Sequence, residues 1–239
     1  MLLGTTAPVL VTYTSLRELA PAELALMPPA ELQRLADIGS QRRQQEYSCG
    51  RALLRHTLER WTGDPAESHR LTTTEHGKPF CIDGPAVSIT HSGNLVACAV
   101  TGSGDIGIDL ELPKKRRRTT DIALGFFSGE EARWLKTQPA DRFYMLWVLK
   151  EAYLKLIGRG LSGLNRLRCR VLPPRIEVDI GKDSIEGLGL YAMGEAFLAL
   201  ASRRTSLQQV RFERWDPAAA NPVTICEIAT IARTYDLAG

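Results

Sequence analysis

Gly107-Ile108-Asp109-Leu110-Glu111 and Trp147-Val148-Leu149-Lys150-Glu151-Ala152-Tyr153-Leu154-Lys155 are the two stretches whose reading decides the fold. In the first, apolar Ile108 and Leu110 alternate with acidic Asp109 and Glu111, which predicts a β-strand over Ile106 to Leu112. Side chains two apart on a strand share a face, so both carboxylates point the same way. In the second, Glu151 and Lys155 stand four apart and are neighbours on a helix. Trp147, Leu149, Tyr153, Leu154 and Ile157 give that helix apolar surface around most of its girth. A buried helix from Phe143 to Ile157 is predicted, stopped by Gly158-Arg159-Gly160. Together the two stretches offer three carboxylates and two lysines. Carboxylates on buried elements need a partner or a metal. Oxygen ligands without sulfur or imidazole favour Mg²⁺ or Mn²⁺ over zinc.

Outward from these stretches the chain shows a weak internal repeat. Tyr47 to Trp61 has helical periodicity, and Gly63-Asp64-Pro65 ends it. Two strand-like runs follow, Val87 to Thr90 and Leu95 to Val100, joined by a turn at Ser92-Gly93-Asn94. In the second half a helix again precedes such a run, where Gly194 to Ala201 echoes Gly93 to Val100. Another strand follows each of these runs, Ile106 to Leu112 after Val100 and Val210 to Arg214 after Ala201. The reading is an α+β fold made of a pseudo-twofold pair of similar halves, 1–104 and 105–239. Clefts at such seams are common ligand sites. Ser128 and Glu131 spell a capping box before Trp134 and Leu135. Pro113 to Thr120 and Leu172-Pro173-Pro174 read as loops.

Bulk properties narrow the function classes. The net charge of +3 gives no general affinity for nucleic acid. Five cysteines without a Cys-x-x-Cys pair offer neither a zinc site nor a disulfide framework. The first residues lack a basic leader, and no apolar run is long enough to span a bilayer. A cytoplasmic protein without a membrane is expected.

Several local motifs have plain readings. Gly102, Gly104 and Gly107 spell G-x-G-x-x-G, but a strand rather than a helix follows, so this is a turn. No Gly-x-Ser-x-Gly surrounds any serine. The run Lys114-Lys115-Arg116-Arg117-Arg118 reads as a solvated loop suited to an acidic partner. His91 and Lys78 offer positive donors for a phosphorylated ligand. Two alternatives stay open beside the family resemblance of these residues: a Mg²⁺-dependent phosphodiesterase or nuclease, and a non-catalytic carrier- or nucleic-acid-binding module with a merely structural acidic cluster.

In these residues the chain resembles the Sfp-type 4′-phosphopantetheinyl transferases. The resemblance rests on Gly107 to Glu111, on Trp147 to Lys155, and on Phe126-Phe127-Ser128 before the capped helix. Gly77-Lys78-Pro79, Thr90-His91-Ser92 and Gly50-Arg51-Ala52-Leu53-Leu54 add to it, in order, from about residue 42 to 165. It implies a pair of α+β halves with the active site at their interface. The implied reaction moves 4′-phosphopantetheine from coenzyme A to a serine of an apo acyl or peptidyl carrier protein and releases 3′,5′-ADP. The carriers are those of fatty-acid, polyketide or nonribosomal peptide synthases. By the resemblance, Asp109, Glu111 and Glu151 surround Mg²⁺, Glu151 is the base for the serine, and Lys155 assists the departing phosphate. Arg51, Lys78, Thr90 and His91 hold the nucleotide and its phosphates, and Glu131 supports catalysis or carrier binding. Thr90 replaces the commoner serine but keeps a hydroxyl, and Val148 stands where a smaller residue is more frequent. A monomer is expected, because one chain carrying both halves builds the seam a dimer would otherwise supply.

Overall fold

The computed structural model describes residues 9–75, 77–114, 118–215 and 225–233. The chain divides into two units: Met1–Ser103 with Gln208–Pro222, and Gly104–Leu207 with Val223–Gly239.

The first unit contains β1 (Val9–Ser15), two short helices α1 (Pro21–Leu24) and α2 (Pro29–Ala36), and the long helix α3 (Gln41–Thr62). The small ribbon β2 (Leu71–Thr73) and β3 (Pro79–Cys81) follows, then the hairpin β4 (Ala86–Ser92) and β5 (Leu95–Thr101). α3 is longer than its apolar periodicity predicts, because Gln41 to Glu46 are polar and give no hydrophobic signal. Its inward face sets Cys49, Leu53, Leu54 and Leu58 against Val87, Val96, Cys98 and Val100 of the hairpin. Gly63, at φ +80°, caps α3 in the left-handed conformation that glycine adopts without strain.

The second unit opens with β6 (Asp105–Glu111), which contains the acidic stretch. Helices α4 (Thr119–Phe126), α5 (Gly129–Leu135) and α6 (Arg142–Ile157) come next, then β7 (Arg168–Leu172), β8 (Arg175–Asp179), β9 (Gly187–Met193) and β10 (Ala196–Arg203). The chain then enters β11 (Val210–Arg214) and ends, among the described residues, with β12 (Ile225–Arg233). The sheet of this unit has the order β6-β10-β9-β12-β8-β7. β6 pairs antiparallel with β10, with Asp109 opposite Ala199 and Glu111 opposite Phe197. α6 is the core helix, and only Arg142, Glu151, Lys155 and Ile157 escape burial along it. An all-round apolar helix of this kind is stable only inside a core. Phe127, Phe143 and Trp147 stack at its start, with ring centroids 5.4 to 6.3 Å apart.

One segment departs from the expected halves. Residues 208–222 belong to the first unit, although the sequence places them in a 105–239 half. β11 lies parallel to β1, with Val9 opposite Val210 and Tyr13 opposite Arg214, giving the sheet order β11-β1-β5-β4. The reason is non-local: the outer edge of β1 needs a partner for its backbone groups, and β11 supplies it. Lys114 and Arg118 are described, but 115–117 of the basic run are outside the described residues. No helix among the described residues is long and apolar enough to cross a membrane.

Candidate active site

In the second unit the chemistry gathers where β6 meets α6. A Cβ on Gly107 would land on the Ala152 carbonyl oxygen and within 2.6 Å of the Leu156 backbone nitrogen. Only glycine therefore lets strand and helix approach this closely. Asp109 and Glu111 share the face of Gly107 by strand alternation, so this face is the one turned to α6. Lys155 Nζ donates to Asp109 Oδ1 at 2.7 Å. Glu151 lies one turn before Lys155, and these two are the half-open positions of an otherwise buried stretch of helix.

The structure thus brings Asp109 and Lys155 into contact and puts Glu111 and Glu151 on the same two facing elements. It does not gather the three carboxylates into a ligand cluster. Among the described residues no group of three or more His, Cys, Asp or Glu is spaced to hold a metal ion. The Lys155 ammonium neutralises the mostly buried Asp109 carboxylate. In donor chemistry the residues fit a hard cation, since all three supply carboxylate oxygen.

Lys150 and Glu131 are both fully buried. Lys150 Nζ is 2.8 Å from Glu131 Oε1, and neither side chain is exposed. Lys150 also donates to the carbonyls of Leu164, at 3.1 Å, and Leu167. Glu131 Oε2 accepts from the Ser128 backbone N–H at 2.7 Å, completing the predicted capping box, and Oε1 accepts from the Cys169 N–H at 2.7 Å. One carboxylate therefore ties α5, α6 and β7 together. This arrangement makes Glu131 an internal brace.

In the first unit a cavity of about 500 Å³ opens beside α3. Arg34, Arg43, Tyr47, Arg51, Thr73 and His91 are among its lining residues. Of the four predicted nucleotide contacts, Arg51 and His91 line it, whereas Lys78 and Thr90 do not, although Gly77 and Pro79 do. Ile89 and His91 both line the cavity, and Thr90 between them is buried on the opposite face of β4. His91 Nδ1 lies 3.7 Å from Glu46 Oε2. The sequence reading missed Arg34, Arg43 and Tyr47. Arg43, Tyr47 and Arg51 are spaced four apart, so a helix reading that followed polar as well as apolar periodicity would have found this face. The described cysteines Cys49, Cys81, Cys98 and Cys169 are buried free thiols. Burial pushes the Cys98 thiol up to about 12, so it stays protonated and inert.

Two family models match this chain. The N-terminal domain of the 4′-phosphopantetheinyl transferases matches residues 32–101, and the 4′-phosphopantetheinyl transferase superfamily matches residues 105–186. The chain belongs to the 4′-phosphopantetheinyl transferase superfamily. It is 39% identical over 119 residues to the 4′-phosphopantetheinyl transferase Sfp of Bacillus subtilis, covering 47% of this chain and 52% of that one. Psf-1 of Bacillus pumilus, named for the same activity, is 36% identical over 131 residues, 51% of this chain and 54% of its own. HetI of Nostoc sp., again a 4′-phosphopantetheinyl transferase by name, is 30% identical over 139 residues, 54% and 59%. The chain spans a little over half the length of each of these relatives.

Proposed function

We propose that this protein transfers 4′-phosphopantetheine from coenzyme A to a serine hydroxyl of an apo acyl or peptidyl carrier protein, releasing 3′,5′-ADP. The observation that carries this reading is the Asp109–Lys155 contact, with Glu151 one turn away, inside the segment that matches the superfamily. In the reaction the serine oxygen attacks the phosphorus that bears the pantetheine arm, and the bond from that phosphorus to the 3′,5′-ADP oxygen breaks. A serine hydroxyl is a weak nucleophile at neutral pH. Glu151 accepts its proton. Lys155 turns from Asp109 to the bridging oxygen and stabilises the charge that collects there. Asp109, Glu111 and Glu151 would hold Mg²⁺, which when bound neutralises the pyrophosphate oxygens. In the first unit Arg51 and His91 bind the nucleotide of coenzyme A, with Lys78 next to the lining residues Gly77 and Pro79. The carriers are those of fatty-acid, polyketide or nonribosomal peptide synthases. Such carriers are acidic, and Lys114 and Arg118 flank the loop proposed to dock them.

The test mixes the protein with an apo carrier, coenzyme A and Mg²⁺ and reads the intact mass of the carrier. A phosphopantetheine adduct is expected; none on any of several carriers defeats the proposal. Glu151→Gln keeps the side-chain shape and removes the base, so kcat is expected to fall by about 10²–10⁴. Transfer at the wild-type rate by a folded Glu151→Gln variant would remove Glu151 from the chemistry.

A further inference from the structure

Arg55 lies one turn beyond Arg51 on α3 and is not among the described residues that line the first unit's cavity. Both arginines reach one carboxylate, Glu31 of α2. Arg51 Nε stands 3.3 Å from Oε1, and Arg55 Nη1 stands 2.9 Å from Oε2. The Arg55 contact is an ion pair by distance rather than an aligned hydrogen bond. All three residues are buried, at 8%, 6% and 7% exposure for Glu31, Arg51 and Arg55. One carboxylate shared by two guanidiniums leaves one positive charge uncompensated within the cluster. Such a surplus is costly in an interior, and cations four apart on a helix repel. A cluster built only for stability needs one arginine here, not two.

The surplus has an outlet. Arg51 Nη1 is buried, and it has no hydrogen-bond partner among the described residues. Arg55 Nη1, by contrast, also reaches the Arg51 carbonyl at 3.4 Å. The Arg51 guanidinium lies 5.6 Å from the centre of the Tyr47 ring, whose face limits its rotation. Arg51 lines the cavity with Arg34 and Arg43. The acidic residue among the described lining is Glu46, which is itself engaged by Arg42 at 3.0 Å. A planar guanidinium that lines a positive cavity and keeps a nitrogen without a hydrogen-bond partner among the described residues matches the oxygens of a phosphate monoester.

We propose that Arg55 is a positioning residue. By sharing Glu31 it keeps Arg51 from being neutralised, and so leaves the Arg51 guanidinium its positive charge for a phosphate monoester dianion bound in the cavity. This rests on the reading that the cavity takes the nucleotide end of coenzyme A. It adds the residue that sets the cavity's preference for a ligand with a phosphate monoester over one without it.

The experiment measures calorimetric binding of 3′,5′-ADP and of adenosine bearing only a 5′-pyrophosphate to the wild type and to Arg55→Leu and Arg55→Lys. The two ligands carry the same number of phosphates and differ in having a separate 3′-monoester. Circular dichroism and thermal melts confirm that each variant is folded. Arg55→Leu leaves Glu31 and Arg51 as a balanced pair, and its Kd for 3′,5′-ADP is expected to rise about tenfold, the worth of one charged hydrogen bond. The Kd for the other ligand is expected to change less, and Arg55→Lys to keep the wild-type preference. Arg55→Met, of similar length, replaces the leucine variant should that one not fold. A folded Leu or Met variant with the wild-type preference overturns the role of Arg55 alone. A wild type that binds neither ligand overturns the nucleotide reading and this role with it.

Discussion

Lys150→Met separates a structural brace from a ligand-binding lysine. Methionine has nearly the length of lysine and fills the same interior space, so the change isolates the ammonium group. That group meets three acceptors: Glu131 Oε1 and the carbonyls of Leu164 and Leu167. It also lies 4.8 Å from the centre of the Phe127 ring. Removing one member of a buried ion pair costs about 3–5 kcal/mol, because the other charge stays behind. Here the Ser128 and Cys169 amides still hold the Glu131 carboxylate, which argues for the lower part of that range. The two carbonyls that lose their donor add about 1 kcal/mol or more each. The expected loss is therefore about 5 kcal/mol. For a chain of this size that corresponds to a fall in Tm of about 10–20 °C. Urea unfolding followed by tryptophan fluorescence measures it, because Trp147 stacks beside Phe127 and Phe143 on the same helix. In a cycle with Glu131→Gln, the double variant should be more stable than the sum of the single losses by about 1–3 kcal/mol. A loss under about 1 kcal/mol for Lys150→Met, or strict additivity, would refute the brace.

Gly107→Ala pushes a methyl group into the α6 backbone at Ala152 and Leu156 and so parts Asp109 from Lys155. A loss of about 3 kcal/mol is expected from overpacking, with a fall in transfer at temperatures where the variant is still folded; normal stability in denaturant would show that the strand and helix do not meet as closely as described. His56 stacks on Trp215 at 5.0 Å, and burial, helped by Arg60, holds its imidazole below the usual 6.5. The unfolded chain then takes up the proton first, so this contribution is complete above pH 6.5 and is lost as the pH falls from 6.5 toward the folded value. Melts of His56→Phe from pH 7 to 5 should show a shallower decline than the wild type, and parallel curves would exclude the effect.

The two opening stretches were legible because their chemistry is local. Alternation assigned β6, and all-round apolarity assigned α6, whose burial the structure shows. Ser128 and Glu131 were equally legible, since a capping box is complete within four residues. What the sequence hid depends on distant partners or on residue types that mislead. The motif gives Lys150 no role, and its burial is explained by distant partners: Glu131, nineteen positions earlier, and the carbonyls of Leu164 and Leu167. The first turns of α3 carry no apolar signal, although they present Arg43 to the cavity. Thr90 and His91 are adjacent in sequence, but alternation along β4 sends them to opposite faces. β7 and β8 were unread because Arg168 to Asp179 mixes charged and apolar residues around Pro173-Pro174.

The misplaced strand β11 has a consequence for folding. The chain leaves the first unit after β5 to form β6, and it leaves the second after β10 to form β11. The first unit is therefore not a contiguous segment. A fragment ending at Ser103 lacks the parallel partner of Val9 to Tyr13. It also lacks Trp215, which stacks on His56 and carries the Arg17 guanidinium 5.1 Å from its ring centre, and Glu213, which pairs with Arg60 at 3.1 Å. With β1 reduced to a bare edge, several backbone groups lose their partners at about 1 kcal/mol each, a large share of the stability of a domain near 100 residues. The fragment 104–239 has no such deficit, because it contains every segment of the second unit and merely carries 208–222 as an insertion. Fragment 1–103 should consequently show no cooperative thermal transition, while 104–239 should. Adding a peptide of residues 208–222 should restore order to the first fragment. A cooperative melt of 1–103 alone, unchanged by that peptide, would mean that β11 decorates the sheet rather than completes it.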